Sequence, residues 1–310
     1  MEIIRKEFSY PSVTGQSDIY ARAWVPEGEI KAVFQLIHGM AEHGERYEPM
    51  AKVFCEAGYV FAVNDHVGHG RSVKDQKDWG FFGGDNNKAG RGFVDDAHKF
   101  TLLLKETYQK PVVLMGHSMG SFVARSYITK YAADIEGAVI CGTSGPQPTA
   151  AGALLAGLTA KIKGERTPGK LVDKIAFGSY NKRCPGRTPF DWLTTDEAVV
   201  DKYVADPACG FMFSASGYKN MMELLGSVSN AAWFESVPKD LPLLLIAGAE
   251  DPVGAYGKGV TAVCEKLKAA GVKDVSMKLY KGARHEIHNE FCKDEVFADI
   301  LAFCGKVLAD

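Results

Sequence analysis

Ser118 lies in Gly116-His117-Ser118-Met119-Gly120, directly behind the apolar run Pro111-Val112-Val113-Leu114-Met115 and ahead of a helical stripe of Val123, Tyr127 and Tyr131 with Phe122 beside them. A serine on a sharp turn between a strand and a helix projects its hydroxyl above the sheet, where it can attack an electrophilic carbon. Such a turn needs glycine two positions either side, because the strained backbone leaves no room for side chains there. A serine hydroxyl is almost fully protonated at neutral pH, so the attack also needs a base that accepts its proton. Two later loops supply the partners. Leu243-Leu244-Leu245-Ile246-Ala247 is followed by Gly248-Ala249-Glu250-Asp251-Pro252, where Asp251 is the candidate acid and Glu250 its close competitor. The run ending near Tyr280 leads into Lys281-Gly282-Ala283-Arg284-His285-Glu286, where His285 is the candidate base. His288 is the nearby alternative, read as a helix-face residue. Taken singly, an Asp before proline or a loop histidine is ordinary turn chemistry. Together they give the order serine, acid, histidine, each behind a strand run, and Asp251 would orient the imidazole and stabilise its cation without taking the proton.

A tetrahedral oxyanion needs donors fixed in advance, each contributing about 3 kcal/mol to transition-state stabilisation. The predicted donors are the backbone N–H of Met119, which starts the helix after the nucleophile, and that of Met40, which follows His38-Gly39.

Compact apolar runs at 32–37, 59–63, 112–115, 138–141, 243–247 and 275–280 alternate with helix-like stretches, a rhythm that predicts an α/β fold with a mostly parallel sheet covered on both faces. Ahead of them, 3–8 and 18–24 read as an antiparallel hairpin at one sheet edge, turning through Pro11 and Gly15. The rhythm breaks between Ser144 and about Pro238, where 150–161 and 218–225 look helical and no strand run occurs. This predicts a core of residues 1–144 and 238–310 and a helical insertion of residues 145–237 that could roof a pocket at the strand ends. Within it, Leu154, Leu155, Leu158 and Ile162, flanked by Lys161 and Lys163, form an apolar stripe. The stripe could rest transiently on a lipid surface, but the favoured expectation is that it packs on the domain beneath, with Leu155 and Leu158 lining the substrate pocket. Phe211, Met212 and Phe213 could line an acyl site or belong to the core, and Phe211 and Met212 are the pocket candidates.

The chain resembles the α/β-hydrolase superfamily, and more narrowly its monoacylglycerol lipase and lysophospholipase-like serine hydrolases. The likeness rests on His38-Gly39-Met40-Ala41-Glu42-His43 with Arg46-Tyr47, on Asp65-His66-Val67-Gly68-His69-Gly70-Arg71-Ser72, on Gly116-His117-Ser118-Met119-Gly120, on Asp251-Pro252 and on His285-Glu286, and it covers almost the whole chain. It implies an α/β-hydrolase fold with a helical cap, and a carboxylic ester hydrolase that works through an acyl-enzyme on monoacylglycerol, lysophospholipid or similar acyl esters. Position by position it assigns the same triad, Ser118, Asp251 and His285, and the same two amides. One departure is Ser121, where these lipases often carry another glycine. Two other readings stay open: a serine aminopeptidase or amidase, for which Glu165, Asp191, Asp196 or Glu197 could hold a substrate amine, and a non-catalytic binding protein on the same scaffold.

A formal net charge of -2 gives no electrostatic basis for binding nucleic acid. Seven scattered cysteines without a Cys-x-x-Cys pair, a charged N-terminal segment from Met1 to Glu7, and no long apolar segment lead us to expect a cytoplasmic protein with reduced thiols. His38, His43, Asp65, His66 and His69 match no standard metal spacing, and the resemblance places them in loops supporting the active-site floor. No phosphate-cradling or dinucleotide motif occurs, so neither a metal nor a cofactor is expected.

Overall fold

The fold is described from a computed structural model, over residues 3–309. Met1 and Glu2, which begin the charged N-terminal segment, lie outside the described residues. Eight strands form one sheet in the order β1-β2-β4-β3-β5-β6-β7-β8. β1 (Ile3–Pro11) and β2 (Asp18–Pro26) make the edge hairpin, and β2 also pairs antiparallel with β4 (Tyr59–Asn64). The remaining neighbours, β3 (Ala32–Ile37), β5 (Val112–His117), β6 (Gly137–Cys141), β7 (Leu243–Gly248) and β8 (Val275–Tyr280), are parallel.

Alternate side chains of the buried strands enter two separate cores. Ala32, Phe34 and Leu36 pack with Met50 and Phe54 of α1 (Glu48–Glu56) and Val296 and Ile300 of α10 (Lys293–Val307). Val33 and Ile37 face the other way, toward Phe93 and Phe100 of α2 (Arg91–Tyr108), Val123 of α3 (Met119–Ile128) and Val263 of α9 (Lys258–Ala269). The register aligns the carboxyl ends: Ile37 lies opposite Gly116, His117 opposite Cys141, and Gly248 opposite Tyr280. The loops carrying Met40, Ser118, Asp251 and His285 therefore leave the sheet along one rim.

Between β6 and β7 the chain forms five helices: α4 (Ala150–Lys163), α5 (Lys170–Phe177), α6 (Glu197–Ala205), α7 (Ala215–Ser227) and α8 (Ala231–Ser236). Buried Arg125 of α3 fastens both ends of this excursion, donating to Ser144 O at 3.0 Å near its start and to Val228 O near its end, with the Trp233 ring 4.6 Å from its guanidinium carbon. Burial without a carboxylate partner pushes the Arg125 guanidinium down to about 9.

The expected packing of the α4 stripe is corrected by the structure. Leu154, Leu158 and Ile162 are 65%, 47% and 77% exposed, and Ala156 and Ala160 are the buried residues of the helix. The residues recur at steps of four and so share one face, which is turned to solvent.

Candidate active site

The turn after β5 holds Ser118 at φ 56° and ψ -121°, a conformation that costs a non-glycine residue on the order of 1–3 kcal/mol. Its N–H donates to Cys141 O at 3.0 Å. A Cβ on Gly116 would lie 2.2 Å from Gly120 O, and one on Gly120 would lie 2.1 Å from Ile37 O and 2.5 Å from His38 O. These glycines let α3 start against the ends of β5 and β3. Ser121 fits this approach, buried with its hydroxyl donating to Ser118 O at 2.5 Å in the first turn of the helix. Gly120→Ala is expected to cost about 3 kcal/mol, because backbone on both sides must shift. Thermal unfolding should register this as a drop of about 5 °C, and an unchanged Tm would contradict the contact.

Asp251 is fully buried behind β7, where its Oδ1 accepts from Val253 N at 2.8 Å. His285 Nδ1 is 3.0 Å from the same oxygen, with its N–H bent off the line between them. His285 Nε2 has no hydrogen-bond partner among the described residues. Burial pulls the His285 pKa down, but the charge and hydrogen bonding of Asp251 outweigh it, and the net shift is upward. Glu250, the competing acid, is exposed. His288 is not on a helix face: it sits in a short 3-10 turn, buried, its ring stacked 4.7 Å from that of Tyr47. Burial, followed by the neighbouring His117, pushes it down to about 3.

Met119 occupies the first position of α3, where a backbone N–H has no acceptor within the helix. Met40 lies in the turn after β3, next to Ala41 at φ 50°, and its N–H has no acceptor among the described residues. Beneath this turn Glu42 Oε1 accepts from Gly39 N at 2.6 Å and from the Tyr47 hydroxyl at 2.9 Å. Arg46 links Glu42, at 2.5 Å, to Glu286, which it grips with two bonds of 2.8 and 2.7 Å. Burial alone would raise both carboxyl groups, but Arg46 together with His117 and His38 outweighs it at Glu42, holding it well below the usual range, and the charge and hydrogen bonding of Arg46 outweigh it at Glu286, holding it at about 2. The loop before α1 is thereby tied to the loop that carries His285. Sequence reading missed this bridge, in which Arg46 and Glu286 are 240 residues apart.

Met40, Ser118, Met119 and His285 line one cavity of about 770 Å³. Leu155, Phe211 and Met212 are among its lining residues, and Phe213 is fully buried in the core. Leu158 is not among its lining residues: three positions along a helix from Leu155 is a rotation of about 300°, which carries it toward solvent. Trp192, which sequence reading also missed, faces the cavity with its ring 5.1 Å from that of His285. Its only signal was a large aromatic in a segment rich in glycine and proline. Asp65 is occupied by the N–H groups of Gly44 and Arg71, and His38 Nε2 by that of His66. The His43 ring turns to the insertion, its Nε2 2.9 Å from Asp206 Oδ2.

The sequence model of the Hydrolase_4 family, described as serine aminopeptidase, S33, matches residues 28–291, a span containing all four rim loops. The chain belongs to this family. The hydrolase is 27% identical over 314 residues to a monoacylglycerol lipase of Mycolicibacterium smegmatis, covering 96% of each chain. It is 26% identical over 283 residues to human monoglyceride lipase, covering 88% of this chain and 81% of the human one. Its fold superposes on a highly thermostable carboxyl esterase from Bacillus coagulans, solved in complex with glycerol, with a TM-score of 0.90 and 33% identity over 99% of this chain and 100% of the other. It is an α/β-hydrolase similar to monoacylglycerol lipases.

Proposed function

We propose that this hydrolase is a serine carboxylic-ester hydrolase acting on monoacylglycerol, lysophospholipid or a similar acyl ester through an acyl-enzyme. The observation that carries the reading is an imidazole whose Nδ1 lies 3.0 Å from a buried carboxylate and whose Nε2 is unpartnered among the described residues, lining the same cavity as a serine on a strained turn. In this reading His285 Nε2 takes the Ser118 hydroxyl proton as Oγ bonds to the acyl carbon. The carbonyl oxygen becomes an oxyanion facing the Met40 and Met119 amides. Collapse breaks the bond to the alcohol oxygen, which leaves with the proton from His285. Water then adds to the acyl carbon, again giving its proton to His285, and collapse releases the carboxylic acid and restores Ser118.

Residues 145–237 act as the cap in this proposal, supplying Leu155, Phe211 and Met212 to hold an acyl chain. The names of the relatives support an acylglycerol as substrate. An aminopeptidase needs an anionic group near the scissile bond. None of Glu165, Asp191, Asp196 and Glu197 is among the cavity residues, and the acidic residues that do line it are engaged: Asp173 accepts from the Tyr218 hydroxyl, and Glu42 and Glu286 are paired with Arg46. Asp191 is held by Thr188 and Arg187 N, Asp196 caps α6, and Glu197 is exposed beside Arg187. Matched nitrophenyl esters and aminoacyl-anilides, with a series of monoacylglycerols, test the assignment: ester turnover with little anilide cleavage is expected, and preferred anilide cleavage would reverse it. Ligand binding without a burst on any activated ester would instead identify a binding protein.

The exposed Leu154, Leu158 and Ile162, with Leu171 and Ile175 of α5 at 57% and 66% exposure, support transient contact of the cap with a lipid surface. No helix of the described residues is long and apolar enough to cross a membrane. We place the protein in the cytoplasm, touching lipid only through this face. Replacing Leu154, Leu158 and Ile162 with serine is expected to reduce turnover of micellar monoacylglycerol about tenfold or more, since each buried apolar side chain contributes about 1.5 kcal/mol or more. Hydrolysis of a dissolved short-chain ester should be unchanged, and an equal loss on both substrates would refute lipid contact.

A further inference from the structure

His43, Asp206 and Cys209 converge beside the Met40 turn, and the proposed reaction uses none of them. His43 Nε2 lies 2.9 Å from Asp206 Oδ2, and one ligand atom from each of His43, Asp206 and Cys209 lies within 4.8 Å of the others. The donors come from two parts of the fold: His43 follows β3, while Asp206 and Cys209 follow α6 in the insertion. The backbone at the junction is already fixed, since Gly210 N and the Tyr203 hydroxyl both donate to Ala41 O at 2.9 Å. Asp206 Oδ1 is occupied by Ala208 N at 2.8 Å, which leaves Oδ2 for the cluster. Arg46, the neighbouring cation, is neutralised by Glu42 and Glu286.

One imidazole nitrogen, one carboxylate oxygen and one thiol sulfur form a donor set suited to zinc, and the sulfur selects against magnesium and calcium. Zinc bonds of about 2.0–2.3 Å separate tetrahedral donors by roughly 3.3–3.8 Å. Modest side-chain rotations reach this spacing, with the His43–Asp206 pair opening and the sulfur closing in. Cys209 is buried, but the His43 and Asp206 side chains are 14% and 34% exposed, which gives an ion a path in.

We propose that His43, Asp206 and Cys209 bind a zinc ion, with water in the fourth position, stapling the insertion to the turn that carries Met40. Binding converts the Cys209 thiol to a zinc thiolate and releases its proton to solvent. The inference does not depend on the ester-hydrolase reading, because its test uses no turnover.

The test is titration of the full chain with zinc chloride by calorimetry, alongside titration with cobalt chloride followed by absorption. One ion per chain is expected, with proton release, a thiolate-to-cobalt charge-transfer band, and a higher Tm with zinc. H43Q, D206N and C209S should each weaken zinc affinity about tenfold or more, and C209S should also remove the charge-transfer band. D206N changes a partly exposed side chain, so it gives a result even if C209S disturbs the core. Failure of zinc to bind, or one-to-one binding with unchanged affinity in both H43Q and D206N, would overturn the site.

Discussion

Ser118→Ala is expected to lower kcat/KM for a nitrophenyl ester by about 10⁶-fold, to the background that binding and oxyanion donors alone sustain. Labelling by a fluorophosphonate should disappear with it. The size of the loss follows from the role: without Oγ no acyl-enzyme forms, and water in the same cavity lacks the placement the strained turn gives the hydroxyl. The fold should be indifferent to the change. Ser118 Oγ makes no hydrogen bond among the described residues, and an alanine Cβ replaces a Cβ already present, so Tm should stay within a few degrees. Retained turnover with lost labelling would mean that the serine is reactive without being the nucleophile.

The strand ends that set out this site were legible because each strand is a short, largely apolar run between turn residues. The 32–37 and 275–280 runs coincide with β3 and β8, and the other runs miss only a residue or two at their ends. The 145–237 segment was harder. α5 has eight residues bounded by Gly169 and Gly178, too few for a periodic stripe to stand out. α6 did carry a signal, since Asp196 caps it by accepting from Ala198 N and Val199 N, but its nine residues are too few for the apolar positions to stand out as a stripe. The bridge from Glu42 through Arg46 to Glu286 was invisible for a different reason. Charged residues in a sequence read as solvated by default, and only the fold brings these three into one buried contact. Leu158 shows the limit of pattern reading within a helix: apolar character identified a stripe, but not whether it faced the cavity or the solvent.

Asp251→Asn separates the acid's two contributions, orientation and charge. Asparagine fits the same space, yet it cannot stabilise an imidazolium and can present its amide N–H to His285 Nδ1, favouring the tautomer whose proton sits on Nε2. A fall in kcat of about 10⁴-fold is expected. The pH profile gives the sharper readout. In the native protein burial lowers the His285 pKa, while Asp251, then Glu286 and Glu42, raise it, and the net shift is upward. The base works only when neutral, so activity should rise with pH through a midpoint above the usual imidazole value. Arg46 remains paired with Glu42 and Glu286 in the variant, so removing the Asp251 charge leaves burial as the dominant influence. The residual activity should then reach its plateau at lower pH than the native enzyme's, because a histidine with a depressed pKa is already neutral there. A large loss of rate with an unmoved midpoint would assign Asp251 an orienting role alone. A native midpoint below the ordinary imidazole range would contradict the contact at 3.0 Å as the dominant influence on the base.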